Sequence, residues 1–310
     1  MGSTVFLTIS EFLQSVSDLY LYLATLTVGA FLLAAILELT DRVSIAVPIA
    51  GVGWVIFGLF WLSMFPYYYY DVQSPLQAVL SFAGVPIAWY TGYVLASGRT
   101  TLLSVSRAIS IMGLIYLTAT AVDPLRILLI ETVAVKTHFG MELLGYSPGI
   151  TEGPNGYMSR FDFDGYTTYI VLACTGIGSI SVFAGLIASV SAPLKRKVVG
   201  IAVVTTVIWA LNLLRNIFIG LASPLGWFDY SIFHTITGIF AEGVRTSYFI
   251  SHHLISQSLS VGVLLLITLF TVRLVPETLE PLEEVLYVLT GNEYDLEDAF
   301  GQPIRTDDGD

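Results

Sequence analysis

Apolar runs of about 20 residues recur along most of this chain, and each is long enough to cross a bilayer core as a helix. Seven can be drawn, over about 18–39, 43–65, 76–97, 101–122, 170–191, 198–221 and 250–274. Lipid offers no partner for a backbone N–H or C=O, so runs of this length fold as helices that satisfy themselves. Composition agrees: 55% of the 310 residues are hydrophobic and 12% are charged, about half the usual charged share of a soluble domain. A soluble globular enzyme, a disordered chain and a nucleic-acid binder are all excluded. The fold expected is an all-α polytopic membrane protein with about seven transmembrane helices.

Polar breaks separate the runs: Asp41-Arg42, Pro66 to Asp71 with four consecutive tyrosines, Gly98-Arg99, and Lys195-Arg196-Lys197. The tyrosines read as an interfacial aromatic belt. The positive-inside rule puts the Lys195–Lys197 cluster in the cytoplasm, and alternation then puts Arg42, Arg99 and Arg273 there too. The N-terminus is expected outside and the C-terminus inside. No basic stretch precedes the first run, so a cleavable signal peptide is not expected.

Charge divides the chain. Residues 276–310 hold eleven of the 24 carboxylates and only one of the 13 Lys and Arg residues. We read 1–275 as the integral membrane domain and 276–310 as an acidic, solvated cytoplasmic tail. High acidity with only three lysines suits a high-salt cytoplasm, where ions screen the self-repulsion.

Three segments fall on the outer side. Residues 123–149 open with Asp123-Pro124, an N-cap followed by a proline in the first turn, and predict a helix lying on the outer surface. His138 reads as an ordinary polar residue of that helix. Residues 157–172 carry Asp164-Gly165 between alternating apolar residues, which predicts a small extracellular β-hairpin. It would deliver the chain to Cys174 and set Phe161 and Phe163 against a substrate. Residues 222–249 read as a short helix pair or a re-entrant stretch.

Ionisable and polar groups in apolar spans are expensive, so each needs a reason. Cys174 is the lone cysteine, which excludes an intramolecular disulfide. It starts the fifth run, where a helix N-terminus would lower a thiol pKa. Cys174, Gly178, Ser181 and Gly185 share one helical face, open to a close neighbour. An inert buried thiol is the alternative. Arg215 lies near the outer end of the sixth run with Asn212 and Asn216 at i−3 and i+1, three polar groups on one stripe. The stripe points to a fixed guanidinium rather than a snorkelling one. His252 and His253 open the seventh run and point about 100° apart, so one at most faces a given site. His234 is a third candidate. No HExxH, second cysteine, acid/histidine cluster, glycine-rich phosphate loop or intramembrane aspartyl pair occurs, so neither a metal nor a cofactor is expected.

Alternation brings Cys174, Arg215 and His253 to the same outer level from three separate runs. A thiol, a cation and a histidine are the parts of a cysteine acyl-transfer centre. At these residues the chain resembles the exosortase/archaeosortase family, in Ala173-Cys174-Thr175-Gly176-Ile177, in Asn212-Leu213-Leu214-Arg215, and in His253-Leu254-Ile255. The resemblance runs over roughly residues 70–275. It departs at the third residue, where archaeosortases are expected to carry arginine and this chain has histidine, as exosortases do. His253 is preferred for its following Leu-Ile, with His252 and His234 as alternatives.

The resemblance implies a membrane transpeptidase acting at the outer face. Its partners would be secreted or S-layer-type proteins with a C-terminal Pro-Gly-Phe-type motif, one transmembrane helix and a basic end. Cys174 would form a thioester, Arg215 would steady the oxyanion or thiolate, and His253 would move protons. Asn212, Asn216, Phe161 and Phe163 would contact substrate, and a membrane lipid is a possible acceptor of the new C-terminus. Two other readings stand beside it: a cysteine protease that only hydrolyses, and a transporter or scaffold, against which the lack of an inverted repeat and of buried acids counts.

Overall fold

The computed structural model describes residues 19–241 and 243–300. The helices α1 (Tyr20–Leu39), α2 (Val43–Pro66), α3 (Pro75–Ala96) and α4 (Leu103–Ala121) follow the first four apolar runs. A π-helical turn, Tyr67–Asp71, extends α2 through the tyrosines, and Tyr67, Tyr69 and Tyr70 are exposed. Then come α5 (Asp123–Leu143), the strands β1 (Gly149–Glu152), β2 (Met158–Phe163) and β3 (Tyr166–Tyr169), and the helices α6 (Ile177–Ser189), α7 (Leu194–Ala222), α8 (Ser231–Phe240), α9 (Thr246–Leu274) and α10 (Leu279–Thr290). The architecture is all-α with one small sheet. Among the described residues, six helices are long and apolar enough to cross a membrane.

The fifth apolar run breaks the expected count of seven. It is not one helix over 170–191. Leu172–Thr175 forms a 3-10 turn, Gly176 takes a left-handed φ of 79°, and only then does the 13-residue α6 begin. At 1.5 Å per residue α6 is about 20 Å long, short of the ~30 Å hydrocarbon core. Hydropathy counts apolar residues and does not register a change of helix type or one left-handed glycine.

The chain forms two compact units. Among the described residues, the first holds 19–114, Ala184–Lys197 and 272–300. Its core is built of small residues around a few rings: Ala34, Ala46, Ala50 and Ala88 beside Phe31 and Trp54. Alanines let the helix backbones approach, and Trp54 settles its one donor on Ser106 Oγ at 3.0 Å. In this unit the acidic tail departs from a solvated segment. Its residues 279–290 fold as α10, and Tyr287 and Val288 pack against the same core. Arg99 fixes it, reaching Glu284 at 2.6 Å and Glu293 at 2.5 Å with its guanidinium 3.5 Å from the Tyr287 ring centroid.

The second unit holds Ile115–Phe183 and Val198–Thr271. In it, α5 starts with Pro124 in the first turn as expected, but Val122 occupies the cap position and Asp123 pairs with Arg126 at 2.6 Å. The hairpin forms as predicted: Asp164 and Gly165 have φ of 47° and 97°, and Phe163 stands opposite Tyr166. Two successive left-handed residues make the tight turn that suits twisted strands. β1 adds an antiparallel third strand on β2 that the sequence reading left out. One face of α5, formed by Ile130, Val133, Ala134 and Met141, lies in a core with Phe161, Ile170 and Leu221. Phe161 is 1% exposed, a burial worth about 1.5–3 kcal/mol. It anchors the sheet on α5 and is not on the surface where a substrate contact was expected.

Candidate active site

The sequence 172–177 changes helix type in mid-stream, and this creates a problem at Cys174. A carbonyl at such a break has no N–H following in register. Ile180 N–H bonds Gly176 O to start the α6 ladder, while Ile177 N–H lies 3.4 Å from Thr175 Oγ1. The Cys174 carbonyl accepts instead from two side chains of α7: Asn212 Nδ2 at 2.6 Å and Asn216 Nδ2 at 2.7 Å. Gly176 is what lets α7 come this close. A Cβ on it would sit 3.2 Å from Asn212 Cγ.

Arg215 stands between those two amides in α7. Its Nη2 lies 3.3 Å from His252 Nε2. An arginine is always a donor, so Nη2 donates and Nε2 accepts, which is the tautomer with hydrogen on Nδ1.

His252 sits in a π-helical stretch of α9, Phe249–Ser256. Tyr248, one residue ahead, stacks on its ring at 5.0 Å between centroids and meets the His253 ring edge-on at 5.7 Å. His253 is buried and pairs through Nδ1 with Gln257 Nε2 at 3.3 Å. This is a pairing of residues four apart on the same helix. The histidine joined to Arg215 is therefore His252, where the sequence reading preferred His253. His234 is engaged elsewhere: its Nε2 is 2.8 Å from Asp229 Oδ1 and its Nδ1 is 2.8 Å from Thr246 Oγ1. His138 lies 2.9 Å from the Pro148 carbonyl, an ordinary structural contact of α5.

Other expectations change. Asn212 and Asn216 spend a donor each on backbone and were expected on substrate. Cys174 is not in the first turn of an α-helix, and it lies outside the six long apolar helices. Burial pushes its thiol up from the ordinary value, with the Arg215 charge pulling the other way. On that face α4 comes close at Gly185, where a Cβ would sit 2.7 Å from Met112 N and 2.8 Å from Ala108 O, while Gly178 has nothing within 4 Å of its own. Phe163 is half-buried against the core beneath the sheet. Tyr248 was missed in the sequence. An aromatic four residues before a histidine is too common in apolar helices to single out. No group of three or more potential metal ligands occurs among the described residues.

The arrangement is a half-buried cysteine whose carbonyl is held by two amides of α7, the helix whose Arg215 holds an imidazole. The family model for transmembrane exosortases matches residues 19–249. Archaeosortase A of Haloferax volcanii is 38% identical over 295 residues, covering 90% of this chain and 97% of the relative. Archaeosortase A of Natronomonas pharaonis is 34% identical over 293 residues, covering 89% and 93%. No solved structure matches the chain. By the extent of that match and by these two relatives, the chain belongs to the transmembrane exosortase/archaeosortase family of membrane proteins.

Proposed function

We propose that this protein is a membrane cysteine transpeptidase. It cleaves a C-terminal sorting signal of the Pro-Gly-Phe type on secreted surface proteins, and the new C-terminus passes to a lipid amine. The observation that carries the reading is that one helix, α7, holds the Cys174 turn through Asn212 and Asn216 and presents Arg215 to His252 between them. A snorkelling arginine and an inert thiol would not need that construction.

The chemistry follows from what each group has free. Sγ of Cys174 attacks the scissile carbonyl, forming the C–S bond and placing negative charge on the carbonyl oxygen. The Cys174 N–H is already bonded to Val171 O at 2.8 Å, so it is not the donor for that oxyanion. Arg215 is, as a permanent cation with several N–H groups. His252 takes the thiol proton at Nε2 once Arg215 turns to the oxyanion, and gives it to the leaving amine as the C–N bond breaks. An acceptor amine then attacks the thioester, and the thiol is regenerated. The membrane orientation in this reading has the N-terminus outside, the C-terminus in the cytoplasm and the site at the outer face.

The test is to trap the thioester. The purified full chain in detergent is mixed with a reporter carrying a Pro-Gly-Phe motif, one transmembrane helix and a basic end, then quenched in acid. Mass spectrometry should find the reporter's new C-terminus on the Cys174 peptide. Cleavage that persists in Cys174→Ala would overturn the mechanism. Release by water alone, with added amine never incorporated, would leave a hydrolase.

A further inference from the structure

We infer that Asn212 and Asn216 are positioning residues for the nucleophile, a pair of side-chain amides that replace a missing backbone ladder. The inference rests on the reading of Cys174 as nucleophile. Three observations converge on it. The break between the 3-10 turn and α6 leaves the Cys174 carbonyl without a backbone N–H, and two amides one helical turn apart fill both of its acceptor positions at 2.6 and 2.7 Å. Asn216 is 5% exposed, so its amide is not available to a passing substrate. Gly176 keeps a left-handed φ of 79° directly under Asn212, a conformation and a clearance that only glycine gives cheaply.

The physical consequence is a fixed distance. The two amides and Arg215 share α7, so the carbonyl of the thiol residue is tied to the helix that carries the cation. The Cys174 backbone cannot drift from α7 without breaking two part-buried hydrogen bonds. A misplacement of about 1 Å between reacting groups costs on the order of a hundredfold in rate. Substrate affinity should be untouched, because the amides face the protein's own backbone.

The experiment uses the full chain in detergent and the Pro-Gly-Phe reporter. Asn216→Leu and Asn212→Leu keep the side-chain shape and remove the donor. Each should lower kcat at least tenfold with KM within about twofold. Asn216→Asp adds a readout that a merely structural role would not move. Its protonated carboxyl can donate to the Cys174 carbonyl and its ionised form cannot. Its kcat should fall with rising pH through a titration absent from both wild type and Asn216→Leu. Gly176→Ala keeps both amides but displaces the turn, and should reproduce the kcat loss if the leucine variants fail to fold. A raised KM with kcat preserved would make the asparagines substrate ligands and overturn the inference. Wild-type kcat in the asparagine variants would overturn it too. Turnover surviving in Cys174→Ala would instead overturn the nucleophile reading, which separates the two failures.

Discussion

Arg215 and His252 meet side chain to side chain, Nη2 to Nε2 at 3.3 Å, while the adjacent His253 turns to Gln257. The pairing explains how a cation is tolerated in an apolar helix. Its Nη2 has a neutral acceptor in reach. A neutral partner leaves the full positive charge in place for an oxyanion, where a carboxylate would have cancelled it.

His252→Gln should lower reporter turnover at least tenfold, about 1.4 kcal/mol of transition-state stabilisation. His253→Gln keeps a hydrogen-bonding group beside Gln257 and should stay within about threefold of wild type. Steady-state cleavage of the reporter by both variants decides the assignment. A larger loss in His253→Gln would return the role to that residue.

Arg215→Lys keeps the charge and loses the planar fork, so it cannot offer the oxyanion the same set of N–H donors. Turnover should drop by at least about tenfold. Wild-type turnover in this variant would mean that only the charge matters.

Cys174→Ser and Cys174→Ala should both lose activity while expression and membrane insertion persist. Neither change adds charge or opens a large cavity beneath a half-buried side chain. Complementation of cells lacking the wild-type protein, read by processing of a signal-bearing surface protein, is the measurement. Burial raises the thiol, so alkylation of wild-type Cys174 by iodoacetamide should show a pH midpoint above that of a free cysteine. Arg215→Gln should move the midpoint higher still, because the opposing charge is gone.

The tail should loosen in acid. The Arg99 hydrogen bond holds the Glu293 carboxyl below the usual carboxylate range. Its contribution is therefore complete above the ordinary pKa of about 4.3 and is lost as pH falls through the depressed value. Hydrogen exchange of residues 279–290 should quicken in that window. Arg99→Gln should do the same at neutral pH, leaving Glu284 unpaired with 8% of its side chain exposed, at a cost of about 1–3 kcal/mol. Unchanged protection would mean that Tyr287 and Val288 alone hold the helix.

The long helices were legible because a bilayer demands some 20 apolar residues in a row, and composition records that directly. The hairpin was legible because Asp164-Gly165 is a local signal. The sequence reading failed wherever the determinant was distant or was a subtle change of backbone. Glu284 finds Arg99 across 185 positions, so a chain end rich in carboxylates reads as solvated until its partner is seen. Gly149–Glu152 is too short to announce β1 between a proline and a glycine. At the site, the types of residue were readable and their partners were not. Asn212, Arg215 and Asn216 were correctly placed on one stripe, but what the amides face depends on where the Cys174 turn breaks. His253 was preferred for its following Leu-Ile, a local pattern that carries no information on which ring a π-helical backbone turns toward Arg215.

The π-helical stretch Phe249–Ser256 gives α9 an unusual tolerance. A π turn is an α turn holding one surplus residue. Deleting a residue from α9 beyond Gln257 would swing every later side chain by about 100° and put the wrong faces toward lipid and protein. Deleting one inside Phe249–Ser256 would let the stretch tighten into an ordinary helix, with Gln257–Leu274 keeping their phase. A single-residue gap between relatives at this place is therefore silent for the rest of the helix. What it would change is which side chain, of two adjacent imidazoles or whatever replaces them, comes round to meet Arg215.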